Sequence, residues 1–133
     1  MTLIKVLAVD DSSVSRQVIA LLLASDRQID LAASAGSAQE AWVELQNHNI
    51  DVITLDLDLP DGDGLEMLEL LTLKDTCGVV VVSGDNRQHN LAIQLGATAC
   101  FDKLSLINEQ SRFLQAIRQA AGLGNGPRRL TMH

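Results

Sequence analysis

Half of the aspartates in this chain lie at two places where an apolar run gives way to polar residues. Asp10 and Asp11 follow one such run, and Asp56, Asp58, Asp61 and Asp63 lie at and after the end of another. Carboxylates that folding brings together raise one another's pKa unless a cation lies between them. Hard oxygen ligands that leave room for water and a phosphate-bearing substrate suit Mg²⁺. We therefore expect Asp10, Asp11 and Asp56 to surround Mg²⁺.

Asp61 and Asp63 fit a structural role better than a metal-binding one. The segment 60–64 reads Pro-Asp-Gly-Asp-Gly, a composition typical of turns, and Asp63 with Glu66 three residues later resembles a capping box. A calcium-binding loop is excluded because Leu59 or Pro60 falls on a ligand position in every register. We predict turn and helix-capping roles for these two aspartates.

Ser83 and Lys103 follow later apolar runs and add a hydroxyl and a cation to this set. Lys103 and Mg²⁺ could neutralise the equatorial oxygens of a phosphoryl group, while Ser83 could donate a hydrogen bond to one of them. A carboxylate can act as the nucleophile in such a transfer. The combination indicates phosphoryl transfer to Asp56.

The elements that must position these residues follow from the periodicity of the apolar residues. Five short apolar runs, rich in β-branched residues, predict strands at 4–9, 29–35, 52–57, 79–82 and 99–101. Apolar residues between and after the runs recur every three or four positions, as in amphipathic helices. Ser37 with Glu40 resembles a capping box for the second helix, and Asp85 is a candidate cap for the fourth. The pattern is (βα)5.

Strict alternation of strands and helices predicts an α/β fold with parallel strands and right-handed crossovers. Five strands suit a doubly wound sheet of order 2-1-3-4-5, in which ligands bind beyond the carboxyl ends of the first and third strands. Asp10 and Asp56 are expected at these two ends.

Composition limits the class of protein. The 133 residues, 47% hydrophobic and 20% charged, predict one globular domain, and a net charge of −7 disfavours binding to nucleic acid. The longest apolar run, 18–24, is far shorter than the roughly 18 residues of a membrane span, and no leader pattern follows Met1, so we expect a cytoplasmic protein without membrane contact. Cys77 and Cys100 are expected as buried apolar residues.

With these residues in this order, the chain resembles a response-regulator receiver domain of two-component signalling, similar to the chemotaxis regulators. The resemblance covers residues 3–121, leaving a flexible tail at 122–133. The motifs that carry it, in order, are 9–12 with Arg16, 51–60, 63–66, Ser83-Gly84 and Phe101-Asp102-Lys103. The resemblance implies a flavodoxin-like fold.

The resemblance also implies roles for individual residues. Asp56 would be phosphorylated, Asp10 and Asp11 would hold Mg²⁺ with Asp56 and the backbone carbonyl of Asp58, and Ser83 and Lys103 would contact the phosphoryl group. The donor would be a histidine kinase or a histidine phosphotransfer protein. The chain would then be a switch rather than an enzyme: it would change its surface around the fourth and fifth helices for a downstream protein partner and hydrolyse its own acyl phosphate.

Two departures from the receiver pattern affect the fifth strand. Leu104 follows Lys103 where the family usually has proline, and Cys100 lies where many receivers have an aromatic residue that moves on activation. Phe101 is expected in the core. Asp58 and Asp85 occupy positions that tune the lifetime of the phosphoryl group in the family.

Two other functions remain as alternatives. Asp56-Leu57-Asp58 resembles the nucleophile motif of haloacid-dehalogenase-type phosphatases, although that reading leaves Asp10 and Asp11 without a role. The chain could also be a pseudo-receiver, a binding module that is not phosphorylated. Labelling with a small phosphodonor and Mg²⁺ separates the three functions.

Overall fold

Consecutive apolar residues form strands here because helices cover both faces of the sheet. The structure, a computed structural model, describes residues 2–122. The strands of the main sheet are β1 (Ile4–Val9), β2 (Ile29–Ala35), β3 (Val52–Leu55), β4 (Gly78–Ser83) and β5 (Ala99–Asp102). Neighbouring strands are parallel in the order β2-β1-β3-β4-β5. The predicted doubly wound sheet of order 2-1-3-4-5 is confirmed.

A helix follows each strand. The helices are α1 (Ser13–Ala24), α2 (Ala38–Asn47), α3 (Gly64–Leu73), α4 (His89–Gln94) and α5 (Gln110–Ala120). Ser37 caps α2 as predicted, by accepting the N–H of Glu40. Asp85 caps a 3-10 turn, Asn86–Gln88, that precedes α4, rather than α4 itself.

Alternate residues of each central strand contribute to two separate hydrophobic clusters. In β1, Val6 and Ala8 pack with residues of α1 and α5, whereas Leu7 and Val9 pack with residues of α2, α3 and α4. Phe101 lies in the first of these clusters and meets the ring of Phe113 edge to face, with centroids 5.5 Å apart, so its predicted core position is confirmed. Burial on both faces explains why the strands are continuously apolar.

The third strand is shorter than predicted. β3 ends at Leu55, and the chain then forms a two-stranded antiparallel hairpin, Asp58–Leu59 with Gly62–Asp63. Leu57 is buried beside Leu59 in the cluster beneath α2 and α3, so its apolar character reflects core packing and not a strand. The fourth and fifth strands are slightly longer than predicted, and they include Ser83 and Asp102.

The two cysteines differ in burial. Cys77 is buried as predicted, whereas Cys100 is partly exposed, and the two form no disulfide. Burial raises the pKa of the Cys100 thiol to about 11. Among residues 2–122, no helix is long and apolar enough to cross a bilayer. Of the predicted tail at 122–133, all but Gly122 lies outside the described residues.

Gly78 allows the start of β4 to pack directly against the end of α5. A Cβ atom at Gly78 would lie 2.1 Å from the carbonyl oxygen of Ala120, which is backbone and cannot rotate away. A Cβ atom at Gly84, in contrast, would have no neighbour within 4 Å. The two glycines therefore form a matched pair for a stability test.

We predict that Gly78→Ala lowers the free energy of unfolding by about 1–3 kcal/mol or more, because β4 and α5 must separate to admit the methyl group. Gly84→Ala should leave stability unchanged or slightly increased. Urea denaturation of both variants measures the difference. Equal stability of the two variants would show that the contact between β4 and α5 is not as close as described.

A second stability test concerns the ion pair between the turn after α1 and helix α5. The carboxylate of Asp26 accepts hydrogen bonds from Gln28 N–H, at 2.9 Å, and from Arg118, at 2.5 Å, and these bonds hold its pKa below the ordinary 3.8. A carboxylate whose pKa is lowered by folding stabilises the folded state at pH values above its ordinary pKa. This stabilisation is lost as the pH falls through the lowered pKa. Asp26→Asn should therefore be less stable than the wild type at neutral pH, with a difference that shrinks on acidification. Urea titrations at several pH values check this, and a difference independent of pH contradicts it.

Candidate functional site

The carboxyl ends of β1 and β3 bring three aspartates together. Val9 pairs with Leu55, the N–H of Asp56 donates to the carbonyl of Val9, and the N–H of Asp10 donates to the carbonyl of Ala35. Asp10, Asp11 and Asp56 each place a carboxylate oxygen within 4.8 Å of the others. Asp10 and Asp56 are buried, whereas Asp11 is exposed. The cluster thus opens to solvent on the side of Asp11.

Lys103 reaches this cluster from the end of β5. Its ammonium nitrogen lies 2.9 Å from Oδ2 of Asp56 and 3.0 Å from Oδ2 of Asp10. The side chain of Lys103 remains 23% exposed, so its charge sits between the buried carboxylates and solvent. One ammonium therefore bridges two buried carboxylates.

Burial and hydrogen bonding shift the pKa values of Asp56 and Lys103. Burial raises the pKa of Asp56 above its ordinary value, and the hydrogen bonds from Lys103 and from the N–H of Asp58 offset part of that rise. Burial acts to lower the pKa of Lys103, but its hydrogen bonds to Asp56 and Asp10 outweigh burial and leave that pKa raised. Lys103 is therefore held as a cation.

Backbone N–H groups orient both buried carboxylates, and the side chain of Arg16 holds the main chain at Asp10. Ser12 N–H donates to Oδ1 of Asp10 at 2.9 Å, and Arg16 donates to the carbonyl oxygen of Asp10 at 2.6 Å. Asp58 N–H donates to Oδ1 of Asp56 at 3.1 Å, which places the backbone of Asp58 beside that carboxylate. The side chain of Asp58 points outward and is exposed.

The donor set fits a divalent cation. Two carboxylates share one ammonium, the carboxylate of Asp11 lies beside them, and Oδ2 of Asp10 is buried without a hydrogen bond even though Lys103 lies at ion-pair distance. A buried carboxylate oxygen without a full set of partners is costly. Oxygen ligands on one side and solvent on the other match the partly hydrated coordination of Mg²⁺. Asp10, Asp11 and Asp56 could hold such an ion.

Ser83 is buried at the end of β4, the neighbour of β3, but it bonds within its own loop. Its hydroxyl oxygen accepts the N–H of Asp85 at 3.1 Å and lies 3.4 Å from the carbonyl oxygen of the same residue. Asp85 in turn is held by Arg87, whose side chain and N–H lower the Asp85 pKa to about 2. Within residues 2–122, no hydrogen bond links Ser83 to the carboxylate cluster, so this hydroxyl lies near the site without joining it.

The residue after Lys103, where the chain departs from the receiver pattern, makes a bond that proline could not make. The N–H of Leu104 donates to Oδ1 of Asp102 at 2.9 Å, which caps the 3-10 segment Lys103–Glu109. Proline has no N–H and could not form this bond. Asp102 is therefore the local cap, and its bond to the N–H of Leu104 fixes the backbone on either side of Lys103.

The two aspartates assigned to turns have the predicted structural roles. Asp63 caps α3 by accepting the N–H of Leu65 at 2.9 Å. Asp61 accepts the N–H groups of Ala38 and Gln39 at the start of α2, more than twenty residues away in sequence. Its long-range cap has no local sequence signal, because a turn composition does not indicate which helix lies nearby.

The sequence profile described as "Response regulator receiver domain" matches residues 6–118. Among curated relatives, protein-glutamate methylesterase/protein-glutamine glutaminase of Agrobacterium fabrum is 35% identical over 76% of this chain and 30% of its own length. The protein of the same name from Nitrosospira multiformis is 40% identical over 62% of this chain and 23% of its own length. The chain thus spans less than a third of the length of these relatives.

Solved structures agree with the profile. The response regulator domain of Thermotoga maritima CheB has a TM-score of 0.80 and 29% identity, covering 90% of this chain and 96% of that one. CheY6 of R. sphaeroides, solved in complex with the P1 domain of CheA3, has a TM-score of 0.73 and 26% identity, covering 90% of this chain and all of that one. With the profile spanning most of its length, the chain belongs to the response-regulator receiver domain family.

Proposed function

We propose that this domain is a phosphorylation-dependent switch in which Asp56 accepts a phosphoryl group from a histidine kinase or a histidine phosphotransfer protein. The observation that carries the proposal is the convergence of the carboxylates of Asp10, Asp11 and Asp56, two of which, Asp10 and Asp56, are paired with the ammonium of Lys103. Asp10, Asp11, Asp56 and the backbone carbonyl of Asp58 are the proposed ligands of Mg²⁺. Bound there, Mg²⁺ would neutralise negative charge on the carboxylates and on the incoming phosphoryl group.

Asp56 is suited to act as the nucleophile. In the transfer, a bond forms between a carboxylate oxygen of Asp56 and phosphorus while the bond from phosphorus to the donor breaks. Both oxygens of Asp56 accept hydrogen bonds, one from Lys103 and one from Asp58 N–H, so the carboxylate is held in one orientation. Lys103 lies within reach of the phosphoryl oxygens that would arrive there.

Hydrolysis of the acyl phosphate would return Asp56 to its starting state. Water entering from the side of the exposed Asp11 would form a bond to phosphorus, and the bond to the Asp56 oxygen would break, releasing inorganic phosphate. Ser83 could donate to the phosphoryl group by turning its hydroxyl proton away from the carbonyl oxygen of Asp85, which lies 3.4 Å away, while its oxygen still accepts the N–H of Asp85. This exchange would couple phosphorylation to the loop between β4 and α4, and so to the surface that a downstream protein partner reads.

The rim of the site offers a surface for the donor protein. Val14, Leu104 and Ile107 are 67%, 93% and 65% exposed, and they line a cavity of about 260 Å³ next to Lys103. Exposed apolar side chains in one patch are typical of protein-binding surfaces. The related CheY6 is solved with the P1 domain of CheA3, which supports a histidine-bearing protein as the occupant.

The haloacid-dehalogenase-type alternative explains less of the site. It assigns chemistry to Asp56 and Asp58 alone, whereas Asp10 and Asp11 lie beside Asp56 and the side chain of Asp58 is exposed. The curated relatives carry the name of an esterase and glutaminase, and this chain matches less than a third of their length. We therefore propose the signalling role for this domain.

The first prediction of this proposed function concerns the phosphoacceptor Asp56. Incubation with acetyl phosphate and Mg²⁺ should add the mass of one phosphoryl group, detected by intact mass spectrometry, and Asp56→Asn should abolish the addition. Asp63→Asn serves as the matched control, since its amide oxygen can still accept the N–H of Leu65. Multiple turnover of phosphate esters would support the phosphatase, and absence of labelling in the wild type would support a binding module without phosphorylation.

The second prediction concerns the metal. Mg²⁺ should raise the melting temperature of the wild type, because a ligand that binds only the folded state stabilises it. At a Mg²⁺ concentration a hundredfold above Kd, the free energy of unfolding should increase by about 2.7 kcal/mol. Asp11→Asn should weaken Mg²⁺ binding by roughly tenfold or more, which corresponds to ~1.4 kcal/mol per tenfold. Asp11 is exposed, so stability without Mg²⁺ should change little. Thermal unfolding at a series of Mg²⁺ concentrations measures both effects, with Ca²⁺-free buffer and Asp63→Asn as controls. If Mg²⁺ raises the melting temperature of Asp11→Asn as much as that of the wild type, Asp11 is not a ligand.

A further inference from the structure

Asp61 lies at the tip of the hairpin, outside the carboxylate cluster, yet it bonds to a distant helix. Its Oδ1 accepts the N–H of Ala38 at 2.8 Å, and its Oδ2 accepts the N–H of Gln39 at 3.0 Å. These are the first two N–H groups of α2, which have no partner inside the helix. The third, that of Glu40, goes to the hydroxyl of Ser37 at 3.1 Å. Two residues from different parts of the chain therefore share the capping of α2.

The hairpin needs such an anchor. Each of its strands has two residues, and a two-stranded hairpin is marginally stable by itself. Its base is held at α3 by Asp63, which caps that helix, and by the N–H of Gly64, which donates to the carbonyl of Leu57 at 3.1 Å. Its tip, at Asp61, is held at α2. The bonds at Asp61 also place a carboxylate where the dipole of α2 favours negative charge.

The hairpin carries a group that contacts the acceptor carboxylate. Asp58 opens its first strand and pairs with Asp63 across the hairpin. The N–H of Asp58 donates to Oδ1 of Asp56, and its carbonyl is the proposed backbone ligand of Mg²⁺. A shift of the hairpin would therefore move Asp58 relative to Asp56.

We propose that Asp61 is a positioning residue for the Mg²⁺ site: by fixing the hairpin to the start of α2, it holds the backbone of Asp58 beside Asp56. This inference rests on the proposed function, since it concerns the same site. Residues that orient the ligands of a metal without binding it commonly contribute a factor of about ten or more to metal affinity.

Ser37 provides a matched control for Asp61. Asp61→Ala and Ser37→Ala both remove caps from α2, but only the first frees the hairpin. We expect Asp61→Ala to weaken Mg²⁺ binding by about tenfold, measured by titration calorimetry on the full chain well below its melting temperature. Ser37→Ala should bind Mg²⁺ like the wild type. Asp61→Asn keeps one acceptor oxygen and should give an intermediate affinity.

Amide hydrogen exchange without Mg²⁺ gives a readout that does not depend on the loaded site. Asp61→Ala should accelerate exchange at Asp58 as well as at Ala38 and Gln39, whereas Ser37→Ala should accelerate exchange in α2 alone. Ala38→Pro removes the N–H that donates to Oδ1 of Asp61 and leaves Asp61 itself unchanged. Proline is compatible with the first helical position, which here follows the extended backbone of Ser37. This substitution should weaken Mg²⁺ binding in the same direction, even if Asp61→Ala fails to fold.

The outcomes separate this inference from the function on which it rests. Equal Mg²⁺ affinities for Asp61→Ala, Ser37→Ala and the wild type, in a wild type that binds Mg²⁺ and is labelled at Asp56, would overturn the positioning role alone. A wild type that neither binds Mg²⁺ nor accepts a phosphoryl group would overturn the proposed function together with it.

Discussion

The structure depends on one electrostatic arrangement, the ammonium of Lys103 between the buried carboxylates of Asp10 and Asp56. Burying a carboxylate is costly unless a cation or hydrogen bonds compensate for the lost water. Here one cation serves two buried carboxylates, and the third, Asp11, stays in solvent. Charge compensation is thus incomplete within the protein itself, which is the property that a site for a divalent cation requires.

The sheet makes this arrangement possible. Asp10 and Asp56 follow adjacent parallel strands, and Lys103 follows the strand at the far edge, so its long side chain must reach across the end of β4. Residues from three separated segments converge because all the strands point in one direction. The hydrophobic clusters on both faces then fix the strand ends, since displacement of any strand would expose apolar side chains on two sides.

The amino-acid pattern was sufficient to predict the strand order and the convergence of the acids, because both follow from alternating periodicity and from the parallel sheet. It was not sufficient where packing or long-range contacts decide the outcome. The apolar pattern predicts a third strand that extends to Leu57, because a core residue in a loop and one in a strand have the same apolar character. The bond from Leu104 N–H to Asp102 and the bonds of Asp61 to α2 depend on backbone groups, which every residue type carries.

The loop after β4 leaves the hydroxyl proton of Ser83 without a close acceptor. The hydroxyl of Ser83 is already bonded to the N–H of Asp85, and the carboxylate of Asp85 is bonded to Arg87. The bond from the Asp85 N–H occupies an acceptor lone pair of the Ser83 oxygen, so the hydroxyl can donate to a new acceptor while keeping it and gives up only the contact of 3.4 Å to the Asp85 carbonyl. A charged acceptor at this end of β4 would therefore gain most of the strength of one hydrogen bond, with the bonds between Arg87 and Asp85 left in place.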